Sequence, residues 1–240
     1  MTVGTEYTYV VDFDGTITTG DLSSELAAYY GGPVYEETES KYRRREIPIR
    51  EWLRQMAKML PPDLDLLRLK SLEWAEIRTG FYDFLEHARK KNSTVIVASD
   101  GFGFYIEPVL EKHGLLEKID CIYRNKTMIG EDGKITVQNP YAHVVCPVCG
   151  NCKAAHVMAV KETGKPVIYV GDGSNDRFGA AWSDQICARD RLADVCEEYG
   201  LTYSPWTDFY DIIKIEKPDL KDCSDRSLCL PKGRGIKNGV

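Results

Sequence analysis

Val10-Val11-Asp12-Phe13-Asp14-Gly15-Thr16-Ile17-Thr18 is a short β-branched run that breaks off into two carboxylates, a glycine and a hydroxyl. The apolar part reads as a fully buried strand. Its carboxylates then emerge at the carboxyl edge of a sheet, where open α/β folds place their ligands. Side chains two apart on a strand point the same way, so Asp12 and Asp14 could share one pocket. Gly15 lets the backbone turn tightly, and Thr16 adds a hydroxyl and an N–H that an anion could use. Two buried like charges repel unless a cation sits between them, and Mg²⁺ suits an all-oxygen site. Taken alone, the stretch is equally a polar strand-to-loop turn. The remainder of the chain separates the two readings.

The 240 residues suffice for one large domain or a core with a modest insertion. A hydrophobic content of 43% and a charged content of 28% supply an ordinary globular core and surface. The net charge of −6 argues against nucleic acid or an anionic membrane as partner. It leaves room for a small phosphorylated metabolite, provided cations are concentrated locally. No apolar stretch approaches the length of a membrane span, and no charged-then-apolar leader opens the chain. Three of the eight cysteines fall between Cys146 and Cys152. Reduced thiols and a cytoplasmic location are expected. Oligomeric state is not legible.

Strand β-propensity returns only after a long helical stretch. A first strand is expected near Thr8–Asp12, followed by four helices between Asp21 and Arg78. Asp21-Leu22-Ser23-Ser24 opens the first helix, and Gly31-Gly32-Pro33 ends it. Pro48 starts the third, whose apolar residues recur at helical spacing until Pro61-Pro62. Alternation then resumes: helix Phe81–Lys91, strand Thr94–Ala98, helix Gly103–His113 and strand Ile119–Arg124, with a hairpin over Met128–Val137. Helix Lys153–Thr163, strand Val167–Val170, a helix from Ser174 to Trp182, strand Gln185–Ala188 and two further helices complete the pattern. The expected fold is α/β: a doubly wound parallel sheet with a small four-helix cap inserted after the first strand. Residues 1–17 and 80–216 would form the core, 18–79 the cap, and 217–240 a tail.

Further signals fall where strands end. Thr94-Val95-Ile96-Val97-Ala98-Ser99-Asp100-Gly101 puts a hydroxyl at a strand tip, and Lys153 opens a helix after Cys149-Gly150-Asn151-Cys152. Gly171-Asp172-Gly173-Ser174-Asn175-Asp176 delivers two carboxylates in a glycine-rich turn. Each has a dull explanation: a turn cap, a solvated lysine, a common loop. Together they make a kit for phosphoryl transfer.

In this order, Asp-Phe-Asp-Gly-Thr, Ser-Asp-Gly, Lys and Gly-Asp-Gly-x-Asn-Asp resemble the four motifs of the haloacid dehalogenase superfamily, over roughly residues 8–216. The helical insertion resembles the cap of its phosphoserine-phosphatase branch. Cys149-Gly150-x-Cys152-Lys153, Ser183-Asp184-x-x-x-Ala188-Arg189-Asp190 and Asp208-Phe209-Tyr210 resemble a group that includes the methionine-salvage phosphatase acting on 2-hydroxy-3-keto-5-methylthiopentenyl-1-phosphate. More distant similarity reaches the phosphoethanolamine/phosphocholine phosphatases.

The resemblance implies a Mg²⁺-dependent phosphatase working through an aspartyl-phosphate. Asp12 would be the nucleophile, and Asp14 the acid and then the base. Asp12, the main-chain carbonyl of Asp14, and Asp172 would hold Mg²⁺. Ser99, with the Asp100-Gly101 turn, and Lys153 would bind phosphate, supported by Asp176 and Thr16. Asp100 departs from the two glycines usual after the motif serine in phosphoserine phosphatases. It faces either the leaving group or solvent. Asp21, Arg43 and Arg45 in the cap, with Phe102 after the second motif, are candidates for reading the substrate; a solvated charge run and core packing are the competing readings. His143, Cys146, Cys149 and Cys152 could hold structural zinc, although a thiol-rich loop positioning Lys153 is favoured. Phosphoserine or another small ester, transfer to an alcohol, and a silent phosphoester-binding regulator are the rival functions.

Overall fold

Thr8–Val11 forms strand β1, buried along its whole length. In the computed structural model, which describes residues 6–215, β1 leads into four helices: α1 (Leu22–Gly31), α2 (Pro33–Arg43), α3 (Ile49–Met59) and α4 (Leu64–Trp74). Asp21 and Asp63 cap α1 and α4 by accepting from the N–H of Ser24 and Leu66. The chain continues as α5 (Phe81–Lys90), β2 (Thr94–Phe102), α6 (Gly103–Lys112), β3 (Cys121–Ile129) and β4 (Ile135–Gln138). It finishes with α7 (Lys153–Lys161), β5 (Val167–Gly171), α8 (Arg177–Ala180), β6 (Gln185–Ala188), α9 (Asp190–Tyr199), β7 (Ser204–Pro205) and α10 (Phe209–Ile213). The expected tail, 217–240, lies outside the described residues.

The seven strands form one sheet in the order β4-β3-β2-β1-β5-β6-β7, and only the β3–β4 pair is antiparallel. Alternate side chains of β1 serve opposite layers. Tyr9 and Val11 join Phe81, Phe84, Ile106, Val109, Phe209 and Ile212 from α5, α6 and α10. Val10 joins Val157, Ala180, Leu192 and Cys196 from α7, α8 and α9 on the other face. The insertion is not a separate body below its surface: Leu22, Trp52, Leu53 and Met56 belong to the same buried cluster as Tyr9.

The two connections of the insertion run side by side. Thr18 and Ile77 form an antiparallel bridge, the Thr19 N–H donates to Glu76 O at 2.9 Å, and the Arg78 N–H donates to Ile17 O at 2.8 Å.

Several boundaries differ from the sequence reading, each for a local reason. β2 runs on from Ala98 to Phe102 with a register shift between them, a bulge that re-aims Ser99 and its neighbours. β3 is one strand, not two segments: its first half pairs with β2 and its second half enters the hairpin with β4. The helix expected from Ser174 to Trp182 is a single tight turn, Ser174–Asp176, followed by short α8. There the Asp176 carboxylate reaches back to accept the N–H groups of Asp172 and Gly173. β7 has two residues, too few to show periodicity.

The aromatic layer under β1 carries much of this packing. Phe84 is fully buried, with ring centroids 4.9 Å from Tyr9 and 5.1 Å from Phe209. Phe84→Ala should therefore cost about 3–5 kcal/mol in urea unfolding; a loss below about 1 kcal/mol would show that this layer is not part of the stabilising core.

Candidate active site

Because β2, β1 and β5 are neighbours, their carboxyl ends bring Ser99, Asp12 and Asp172 to one edge of the sheet. The start of α7 delivers Lys153, which is only 2% exposed. Its ammonium lies 2.9 Å from Asp12 Oδ1 and 2.5 Å from Asp176 Oδ1. Asp176 Oδ1 also accepts from the Tyr169 hydroxyl at 2.7 Å, and Oδ2 takes the N–H groups of Asp172 and Gly173 at 3.1 and 2.8 Å. Asp176 is thus committed on both oxygens and fixes the lysine against the Gly171–Asp176 turn.

Asp14 is held by a different set of donors. Its carboxylate accepts from the Leu22 N–H at 3.0 Å, the Ser23 hydroxyl at 3.4 Å and the Tyr105 hydroxyl. Gly101 makes this possible, since a Cβ there would collide with the Tyr105 hydroxyl and the Asp14 carboxylate. Gly15 has φ +76°, and a Cβ on it would strike the Asp172 carboxylate. Thr16 donates to Asp172 Oδ1 at 2.6 Å. Ser99 lines the cavity, and its Oγ accepts the Gly101 N–H at 2.9 Å.

Burial, with Asp176 nearby, pushes the Asp12 carboxyl well above its ordinary range despite Lys153. Asp14 is pushed up by burial and by Asp21, against the donors from Tyr105 and Leu22. Asp172 is pushed up to about 7 by burial and Asp176. Burial opposes the charge on Lys153, but Asp12 and Asp176 outweigh it and hold the ammonium well above its usual value. The site concentrates negative charge that one lysine does not balance.

Carboxylate oxygens of Asp12, Asp172 and Asp176 lie within 4.8 Å of one another. This oxygen-only donor set fits a hard divalent cation. The Asp14 side chain turns to Tyr105 and is not part of this trio. The Cys/His loop does not make a zinc site: among the described residues no three ligating atoms of His143, Cys146, Cys149 and Cys152 converge. His143 Nδ1 instead accepts the N–H groups of Val145 and Cys146.

The carboxylates floor a cavity of about 320 Å³ roofed by α2 and α3. Asp21 and Arg43 line it, with Arg43 paired to buried Glu39 at 2.6 Å. Arg45 does not line it but pairs with Glu198 at 3.0 Å. Phe102 is fully buried and stacks on Phe104, so it is a core residue and not a substrate contact. Asp100 lines the cavity and is half-buried. It accepts the Asn151 N–H at 2.8 Å and the Asn175 side-chain amide, tying the tip of β2 to the two loops that carry Lys153 and Asp172.

Some site residues carry no sequence signal. Arg78 donates to the carbonyls of Thr16, Gly15 and Thr18 at 2.8, 2.6 and 3.2 Å, bracing the loop after β1 from the far end of the insertion. Asn151, fully buried, donates to Ser99 O and Tyr123 O and meets His156 Nε2 at 2.6 Å. Tyr105 is fully buried, and only the fold brings its hydroxyl to Asp14.

Comparison with known proteins agrees with this geometry. The family described as haloacid dehalogenase-like hydrolase matches residues 9–178. A 2-hydroxy-3-keto-5-methylthiopentenyl-1-phosphate phosphatase of Bacillus cereus is 34% identical over 204 residues, covering 84% of this chain and 91% of that protein. A Bacillus anthracis protein of the same name is 33% identical over the same shares. Among solved structures, a phospho-aspartyl intermediate analogue of phosphoserine phosphatase superposes with a TM-score of 0.66 at 18% identity, covering 89% of this chain and all (100%) of the other. Phosphoserine phosphatase from T. onnurineus gives 0.63 at 22% identity, over 90% of this chain and 96% of that one. The structural matches establish the shared fold and the sequence matches the kinship: this chain belongs to the haloacid dehalogenase-like hydrolases, as a phosphoric monoester hydrolase.

Proposed function

We propose that the protein hydrolyses a small phosphomonoester in two steps through a phosphoaspartate on Asp12, with Mg²⁺ as its cofactor. The observation that carries this reading is the Lys153 ammonium 2.9 Å from Asp12 at the floor of a cavity, with Asp14 held separately two residues on. In the first step an Asp12 oxygen attacks phosphorus, the ester P–O bond breaks, and the Asp14 carboxyl gives its proton to the departing alcohol. In the second, Asp14 takes a proton from the attacking water, the bond from phosphorus to Asp12 breaks, and phosphate leaves. Lys153 and Ser99 hold the phosphoryl oxygens throughout. Burial of Asp14 favours the protonated form that the first step needs.

Asp12, Asp172 and the Asp14 carbonyl would hold Mg²⁺, which when bound offsets the charge shared by the nucleophile and the phosphoryl group. Asp176, already committed on both oxygens, supports them from behind. The four-helix insertion acts as the cap and excludes water while the ester is cleaved. For the substrate, kinship at 33–34% identity favours 2-hydroxy-3-keto-5-methylthiopentenyl-1-phosphate over phosphoserine. Cys121, Cys146, Cys149, Cys152 and Cys187 are free thiols, which suits a cytoplasmic setting.

A panel of phosphomonoesters with Mg²⁺ tests the mechanism. Asp12→Asn should lower kcat by about 10³-fold or more, and phosphate release should not depend on added acceptor alcohols. Full activity in that variant, or quantitative transfer to the alcohol, would refute the hydrolytic scheme. Metal dependence has a sign of its own. The raised carboxyls bind protons in the folded state that the unfolded chain has already lost, so without metal their contribution to stability falls as pH rises through their folded pKa values. Saturating Mg²⁺ should therefore raise Tm more at pH 8 than at pH 6, by calorimetry; an equal or opposite difference would separate the carboxylates from metal binding.

A further inference from the structure

Beside the first cavity lies a second, of about 660 Å³, between the start of α3, the loop 143–148 and α9. Tyr42, Arg43, Ile49, Ser174, Asn175 and Arg191 line both, so the two spaces are contiguous. At the threshold, the Tyr42 hydroxyl on α2 stands 3.4 Å from Ser174 Oγ in the Gly171–Asp176 turn, a long and weak hydrogen bond.

The two spaces differ in chemistry. Eight carboxylates and three cationic side chains line the first. Beyond Tyr42 the wall is formed by Ile47, Pro48, Val145, Pro147, Val148 and Val195. Charged groups also line it, most of them paired: Arg45 with Glu198 within the wall, Arg43 and Arg191 toward Glu39, and Arg177 over the Phe178 ring, with Asp194 beside them. Val145 keeps an apolar side chain 84% exposed at this rim, surface that an apolar occupant would cover.

We propose that this second cavity receives the apolar end of the leaving group. The phosphoryl group stays at Asp12 and Lys153, and the carbon chain passes Tyr42 to lie against Val148 and Val195. The inference rests on the phosphatase reading and narrows its substrate to phosphomonoesters of alcohols that carry an uncharged alkyl or thioether chain. A methylthio-ended five-carbon chain belongs to that class. A serine-sized leaving group ends within the first cavity and gains nothing from the second.

The test is a series of n-alkyl phosphates from ethyl to octyl, assayed with Mg²⁺, with alkylphosphonates as unreactive inhibitors. kcat/KM should change little for the shortest members. It should then rise about threefold to fourfold per methylene once the chain passes the threshold, with Ki of the phosphonates falling in step. Val195→Phe, which fills the cavity, should reduce the octyl-to-ethyl ratio about tenfold or more. Val145→Asp, at an exposed position that folding tolerates, should reduce it in the same direction. A wild-type slope of zero while ethyl phosphate is hydrolysed would overturn the proposal and leave the phosphatase reading intact. So would a slope that survives both variants, or preference for an ω-carboxyalkyl phosphate over its methyl-ended equivalent. No turnover of any ester would remove both.

Discussion

The ion triad of Lys153 with Asp12 and Asp176 is the constraint around which the site is assembled. A lysine 2% exposed is costly unless its charge is answered at close range. Two carboxylates at 2.9 and 2.5 Å answer it, and they come from different strand ends, so the triad forms only when β1, β5 and α7 are in register. Burial raises the carboxyls of Asp12, Asp14 and Asp172 around this triad, so that crowding three acids at one sheet edge costs stability unless a cation joins them.

Much of the architecture was legible because its signals are local. The β-branched run before Asp12, the Gly-Pro and Pro-Pro stops of the insertion, and the glycine-rich turn at Asp172 each mark an element by themselves. The order of acids, hydroxyl and lysine at strand ends was legible for the same reason. What escaped depends on separation in sequence. Arg78 reaches Gly15 and Thr16 across more than sixty residues, and Tyr105 reaches Asp14 across 91. No window of periodicity contains both partners. For Phe102 the sequence left cavity and core both open, and the fold buries it in the core.

Asp100 shows how a departure from a family pattern can be absorbed. Placed beside a phosphate site, a carboxylate would repel the ligand. Here two amide donors, the Asn151 N–H and the Asn175 side chain, occupy its oxygens and convert a liability into a cross-tie between three loops. Neither donor is recognisable as such before the loops are folded together.

The paired connections at Thr18 and Ile77 have a consequence for how such a chain can diversify. A segment whose ends lie side by side imposes no spacing on the strands it joins, although buried Leu22, Trp52, Leu53 and Met56 tie this one to the core. The carboxylates and Lys153 sit on the sheet edge, whereas α2 and α3 line the cavity above them. Arg78 marks the seam: it belongs to the trailing connection but clasps the loop that follows Asp12. A different roof would thus reshape the cavity while leaving the strand ends beneath it in place, provided it kept an arginine at the seam.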